Sequence, residues 1–262
     1  SEEQRVERLA KDDVLYVPVM EPYCVRIMMQ VFRSIGFNAQ PLEETDHTLA
    51  VGLKYTAGGE CIPCPLTTGS IIAEIEEKKL DPKKVVLFMP TACGPCRFGQ
   101  YAKLDKIIFE RKGWEGIRIM SPSAENAYAG LPTRARAHLW HAMLLGDVFR
   151  KLACKVRPYE INRGETDVLI EQHMKKVEAL FATGNIRGVD VLLAAAVDEI
   201  SRIPRKNIRK PLVGIVGEIY VRSDPYANGR VVEAVEALGG EAWLAPLAEW
   251  IERNIFLPQT AS

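Results

Sequence analysis

The chain has 262 residues, enough for one large or two small domains with well-buried cores. It is 47% hydrophobic and 26% charged, with 34 Lys and Arg balancing 34 Asp and Glu to zero net charge. That is ordinary for a soluble globular protein and sets aside a general nucleic-acid binder, which carries a basic excess. No apolar run approaches the ~20 residues of a membrane span, so no membrane partner is expected. The charged opening SEEQRVERLAKDD is not a secretory signal, which argues for a cytoplasmic location. It also lacks an initiator Met, as in a processed chain or a piece of a longer one.

In chain order, VLYVPV (14–19) reads as a strand and Pro22 to Ile35 as a helix ended by Gly36. A short strand is expected near 37–41 and a helix over 66–79, stopped by Asp81-Pro82. VVLFM (85–89) reads as a buried strand, Arg97 to Arg111 as a helix ended by Gly113, and IRIM (117–120) as another strand. Three helices follow, roughly 133–154, 165–183 and 187–202. LVGIVGEI (212–219) reads as a strand, 226–238 as a helix closed by Gly239-Gly240, EAWLA (241–245) as a strand, and a last helix runs to about 254.

Apolar strands alternating with helices predict an α/β fold with parallel sheets and right-handed crossovers. The expected architecture is Rossmann- or flavodoxin-like units with a helical segment between them. It divides into an α/β cluster-binding unit over 12–132, a helical segment over 133–205, and a smaller βαβ unit over 206–262 that packs on the first. The one basic run, Arg202 to Lys210, fits a solvated linker.

Six cysteines are too sparse for a small secreted disulfide scaffold. Four of them form two C-x-x-C pairs, Cys61 with Cys64 in GGECIPCPLTTGS and Cys93 with Cys96 in PTACGPCRFGQ. Without a secretion signal that pattern points to metal or redox chemistry. Ligands of an open parallel sheet collect at the carboxyl ends of its strands. Cys93 and Cys96 follow VVLFMP directly, Cys24 follows VLYVPV, and Cys61 and Cys64 precede a predicted helix. The two pairs are therefore expected to meet in one crevice, with Cys24 close by.

Four thiolates suit tetrahedral zinc, but 28 residues separate Cys64 from Cys93, more than a zinc ribbon uses. A thioredoxin-like dithiol needs only Cys93 and Cys96 and leaves the other pair surplus. An iron–sulfur cluster takes thiolates from separate loops, and helix N-termini beside it favour its negative charge. Chemistry alone ranks iron–sulfur first, with zinc and disulfide or inert thiols behind it.

The stretches KYTAGGECIPCPLTTGS, PTACGPCRFGQY, KVRPYE (155–160) and PLVGIVGEIYVRSDPYANGRVVEAVEALGG also carry a resemblance. They are similar to the carboxy-terminal domain of the activase-related proteins of the 2-hydroxyacyl-CoA dehydratase and benzoyl-CoA reductase system, and in turn to the double-cubane cluster proteins. The resemblance covers about residues 12 to 250; GPCRFGQY and VGIVGEI are its most specific parts. It implies a low-potential iron–sulfur protein of anaerobes that works with an ATP-hydrolysing, actin-like activator, as an electron-transfer or reductase/dehydratase component. No GxxxxGK[ST] or actin-like phosphate motif occurs here, so that ATPase domain or subunit is expected on another chain.

In the family pattern the cysteines matching Cys61 and Cys96 are regular, whereas Cys64 and Cys93 are additions. The four could complete a 4Fe–4S cubane. Alternatively, with Cys24 and Cys154, six thiols could hold an 8Fe–9S double-cubane cluster, and a homodimer could share it. The plainer reading of Cys24 and Cys154 is buried core. The rival from another class is a zinc-stabilised interaction domain without catalysis.

Other residues carry two readings each. Arg97 either places positive charge beside a cluster or is a surface arginine. Thr67 and Thr68 either cap a helix after Pro65 or donate to sulfur. Glu218 either faces the crevice as a proton donor or solvates a loop. His138 and His141 share a helix face but lack neighbouring ligands in sequence.

Overall fold

The computed structural model describes residues 12–92, 96–123 and 131–249. It is an α/β structure, and its residues fall into two compact units. One is drawn from residues up to Val19 and Val31–Ala137, the other from Met20–Gln30 and His138 onward.

The first unit is built on a four-stranded parallel sheet of order β2-β1-β3-β4. The strands are β1 (Val14–Pro18), β2 (Asn38–Leu42), β3 (Val85–Phe88) and β4 (Arg118–Met120). Helix α1 (Pro22–Ser34) links β1 to β2 and ends where Gly36 takes a left-handed φ of 96°. β3 is apolar and buried at every position, as expected for a strand paired on both sides. Leu15, Phe32, Leu42, Ile71, Ile72 and Leu87 are at most 2% exposed and form the heart of this core.

Two helices depart from the expected pattern. α2 (Asp46–Tyr55) lies in a stretch to which the sequence pattern assigns no element, although TDHT carries a reciprocal cap. The Thr48 amide donates to the Thr45 hydroxyl oxygen, and the Thr45 amide to that of Thr48. α3 (Pro63–Lys78) begins three residues earlier than predicted, because proline is accommodated at the first helical position. α2 and α3 pack so closely that a Cβ on Gly69 would lie 1.9 Å from the Thr48 carbonyl oxygen, and one on Gly52 1.8 Å from that of Pro65. These glycines are required by the approach of two backbones. α4 (Tyr101–Arg111) follows a 3-10 turn at Arg97–Gln100 that sequence periodicity had merged with it.

In the second unit the helices are α5 (Thr133–Val156), α6 (Glu165–Ala182) and α7 (Val189–Ser201). Phe149, Ile170, Met174, Phe181 and Ile200 are buried among them. Arg26 reaches Glu171 at 2.7 Å and Glu178 at 2.6 Å. Arg150, stacked 4.7 Å from the Tyr23 ring, pairs with the buried Glu21 at 2.9 Å. The KVRPYE stretch is a knot of such contacts. Arg157 bonds Glu236 and Asp167, the Tyr159 hydroxyl donates to Glu241, and Glu160 accepts from the amides of Gly164 and Thr166.

A parallel pair, β5 (Leu212–Ile215) and β6 (Glu241–Leu244), completes this unit with α9 (Val231–Ala237). β5 is shorter than predicted. After Gly217 the chain turns into the short helix α8 (Ile219–Ser223), which the apolar run VGIVGEI had concealed. α9 also starts later than 226, since Asp224 accepts from the amides of Tyr226 and Ala227 and holds a turn there. The final predicted helix falls largely outside the described residues. Among those residues no helix is long and apolar enough to cross a membrane.

Candidate functional site

The loop after β3 runs beside the chain leaving β4. The Met89 amide donates to the Met120 carbonyl and the Thr91 amide to that of Pro122. This is the carboxyl edge of the sheet, where the two C-x-x-C loops are expected to meet. Cys93 lies outside the described residues. Cys96 is exposed and extended just before the 3-10 turn, whose first bond runs from the Gly99 amide to the Cys96 carbonyl. Gly99 sits so tightly on the loop that a Cβ there would be 2.2 Å from the Ala92 carbonyl oxygen. The Thr91 hydroxyl donates to the Gly99 carbonyl at 3.2 Å, bracing the same turn.

The guanidinium of Arg97 donates to the carbonyl of Gly59, two residues before Cys61. Phe98, stacked edge-on to Tyr101 at 5.5 Å, and Cys61 pack against one hydrophobic cluster that contains Cys64. The loop of Cys96 and the loop of Cys61 are therefore tied together from both sides, by a polar clasp and by shared apolar contact. Between them Glu60 accepts from the Ala57 amide and shapes the turn that enters Cys61.

Cys64 does not precede a helix, as expected, but is the second residue of α3. Its amide donates to the Cys61 carbonyl at 2.9 Å, and its side chain is fully buried. Burial pushes its thiol up to about 12, with the charges of Asp105, Glu60 and Cys61 adding to the effect. Thr67 and Thr68 do not cap the helix, because it starts earlier. Thr67 donates back to the Pro63 carbonyl at 2.9 Å. Thr68 donates to Asp105 Oδ1 at 2.6 Å.

Asp105 was not anticipated. It is 0% exposed, its Oδ2 is buried without a hydrogen-bond partner, and burial raises its pKa to about 7. A trace was present in YAKLDKIIFE, where Asp105 shares a helical face with Tyr101, Ile108 and Phe109, all buried.

Cys24 and Cys154 belong to the second unit. Cys24 lies in the first turn of α1, its amide donating to Glu21 and its thiol to Met28 sulfur at 3.5 Å. It abuts Gly146 so closely that a Cβ there would meet it at 2.8 Å. Cys154 is buried against Val232 and Ala242, and burial pushes its thiol up to about 11. His138 is buried beside the Phe181 ring at 6.2 Å. Glu218 caps α8 by accepting from the Val221 amide at 2.8 Å.

Among the described residues no group of three or more His, Cys, Asp or Glu side chains is placed to hold a metal ion. What the edge of the sheet offers is two thiols on loops joined by Arg97, one exposed and one half-buried, and a third enclosed in the first turn of α3. Such an arrangement can supply soft ligands with limited access to water. No protein-family model, no curated protein and no solved structure matches the chain.

Proposed function

We propose that the chain is a cytoplasmic iron–sulfur protein for low-potential, ATP-coupled electron transfer or reduction in a 2-hydroxyacyl-CoA dehydratase-like or double-cubane-like system. It works with an actin-like ATPase activator on another chain or domain. The observation that carries this reading is the Arg97–Gly59 clasp, which joins the loops of Cys96 and Cys61 at the carboxyl edge of a parallel sheet. Cys61, Cys64, Cys93 and Cys96 would supply the thiolates. A 4Fe–4S or 8Fe–9S cluster, when bound, supplies one-electron chemistry at low potential.

The chain's own residues support that role in three ways. Enclosure of Cys64 among apolar side chains excludes water from one side of the site. The amino end of the 16-residue helix α3 lies at Cys64 and favours negative charge there. Arg97 places a positive charge on the Cys96 loop, which eases addition of an electron nearby.

The zinc-stabilised interaction domain remains a second reading, favoured by one observation: Cys64 is part of a hydrophobic cluster, as in a structural clasp. Purification without oxygen, followed by counts of iron, sulfide and zinc and by electron paramagnetic resonance, separates the two. A brown protein with about four or about eight irons per chain is expected, and Cys61→Ala and Cys96→Ala should each lose that iron. Colourless protein with stoichiometric zinc, or full iron in both variants, overturns the proposal.

A further inference from the structure

The segment from Pro204 to Gly217 is exposed throughout, with only Lys210 and Ile215 partly covered. It contains the whole of β5. The Pro211 and Ile215 carbonyls accept from the Glu241 and Ala245 amides at 2.9 and 3.3 Å. In a parallel ladder alternate residues serve one neighbour, so Pro211, Val213 and Ile215 are committed to β6. The amides and carbonyls of Leu212 and Gly214 point the other way, where no strand pairs with β5 among the described residues.

Other sheet edges of this chain are guarded. β2 contains Pro41, and β4 is three residues long and opens with Arg118. β5 has neither proline nor charge from Leu212 to Val216, and Val216 is 80% exposed. A Cβ on Gly214 would meet nothing within 4 Å, so the face it shares with Leu212 and with its register partner Trp243 is open there. The approach to this edge is basic, with five cations between Arg202 and Lys210. Arg202 pairs with Asp198, Arg205 donates to the Ser201 carbonyl and Lys210 to that of Gly239. The side chains of Lys206 and Arg209, both exposed, have no such partner among the described residues.

We propose that the free edge of β5 is a docking site for an extended segment of another protein, one that pairs as a third strand and carries acidic residues at the end beside Arg209. Main-chain bonds to Leu212 and Gly214 supply the affinity, and apolar side chains of the segment cover Leu212 and Val216. Carboxylates beside Lys206 and Arg209 set its register and speed its arrival. This docking does not depend on the cluster reading.

The test is fluorescence anisotropy of the intact protein with a labelled synthetic peptide of acidic residues followed by alternating Val and Thr. The peptide is expected to bind, and more weakly as salt rises. Gly214→Pro removes an amide that faces the free edge, leaves the bonds to β6 intact and is a substitution that such an edge tolerates. It should weaken binding about tenfold. Lys206→Glu combined with Arg209→Glu should weaken it roughly fivefold. Should Gly214→Pro fail to fold, hydrogen exchange on the wild-type protein decides instead, since the peptide is then expected to slow exchange of the Leu212 and Gly214 amides. No binding, unchanged binding to either variant, unchanged exchange at those amides, or equal binding of a peptide with Pro in place of Val overturns the proposal. Self-association that Gly214→Pro abolishes would place a second copy on this edge and overturn it as well.

Discussion

β3 and β5 are four-residue apolar strands in parallel sheets, VVLF and LVGI, and they meet opposite environments. All four residues of β3 are buried, whereas Leu212, Val213 and Gly214 of β5 are exposed, Leu212 by 61%. β3 is hydrogen-bonded on both sides, to β1 and β4, while β5 pairs with β6 alone. An apolar run therefore encodes a strand, while what packs over the faces of the sheet decides its burial. The same contrast separates the two carboxyl edges. That of the first sheet gathers loops bearing thiols, and that of the second is occupied by the Glu218 cap of α8.

Substitutions at matched positions sharpen the comparison. Leu87→Ala in β3 removes a fully buried side chain and should cost about 2–5 kcal/mol, read from the urea midpoint at constant slope. Gly69→Ala drives a methyl into the backbone of α2 and should cost about 1–3 kcal/mol or more by the same measurement. Leu212→Ser in β5 should change stability by no more than about 0.5 kcal/mol. Equal losses at Leu87 and Leu212 would break the contrast, because β5 would then be covered in solution.

Between these in size lies a pH effect confined to the first unit. The pKa of Asp105 is raised to about 7 from an ordinary 3.8, so the folded state holds a proton that the unfolded chain has already released. Its contribution to stability is complete below about pH 4 and is lost as pH rises through about 7. Urea unfolding should therefore show higher stability at pH 5 than at pH 8. Asp105→Asn, which does not titrate, should remove that part of the slope; an unchanged profile would place the cause elsewhere.

Much of the frame was legible in the sequence because it rests on local chemistry. The six strands of the described residues were anticipated, most of them from short apolar runs, and α1, α5, α6 and α7 from period and from Gly, Pro and cap residues. α2 escaped because its cap is a Thr–Thr pair and its buried face includes Gly52, which carries no hydrophobic mark. α8 escaped because VGIVGEI continues the apolar run past the end of β5, and only the turn at Gly217, with φ 140°, breaks the strand.

The candidate site divides in the same way. Two C-x-x-C pairs, one after β3 and one at the start of α3, were written in the spacing of the residues. That Arg97 clasps the Gly59 carbonyl, that Cys64 lies inside α3, and that Thr68 bonds Asp105 depend on partners 37 or 38 positions apart in the chain or on where a helix begins. Residue type and period determine which segments can form strands and helices, since those bonds are local. Which carboxylate is buried, which hydroxyl turns from its own helix and which loop meets which are decided only when the sheet brings distant segments within bonding distance.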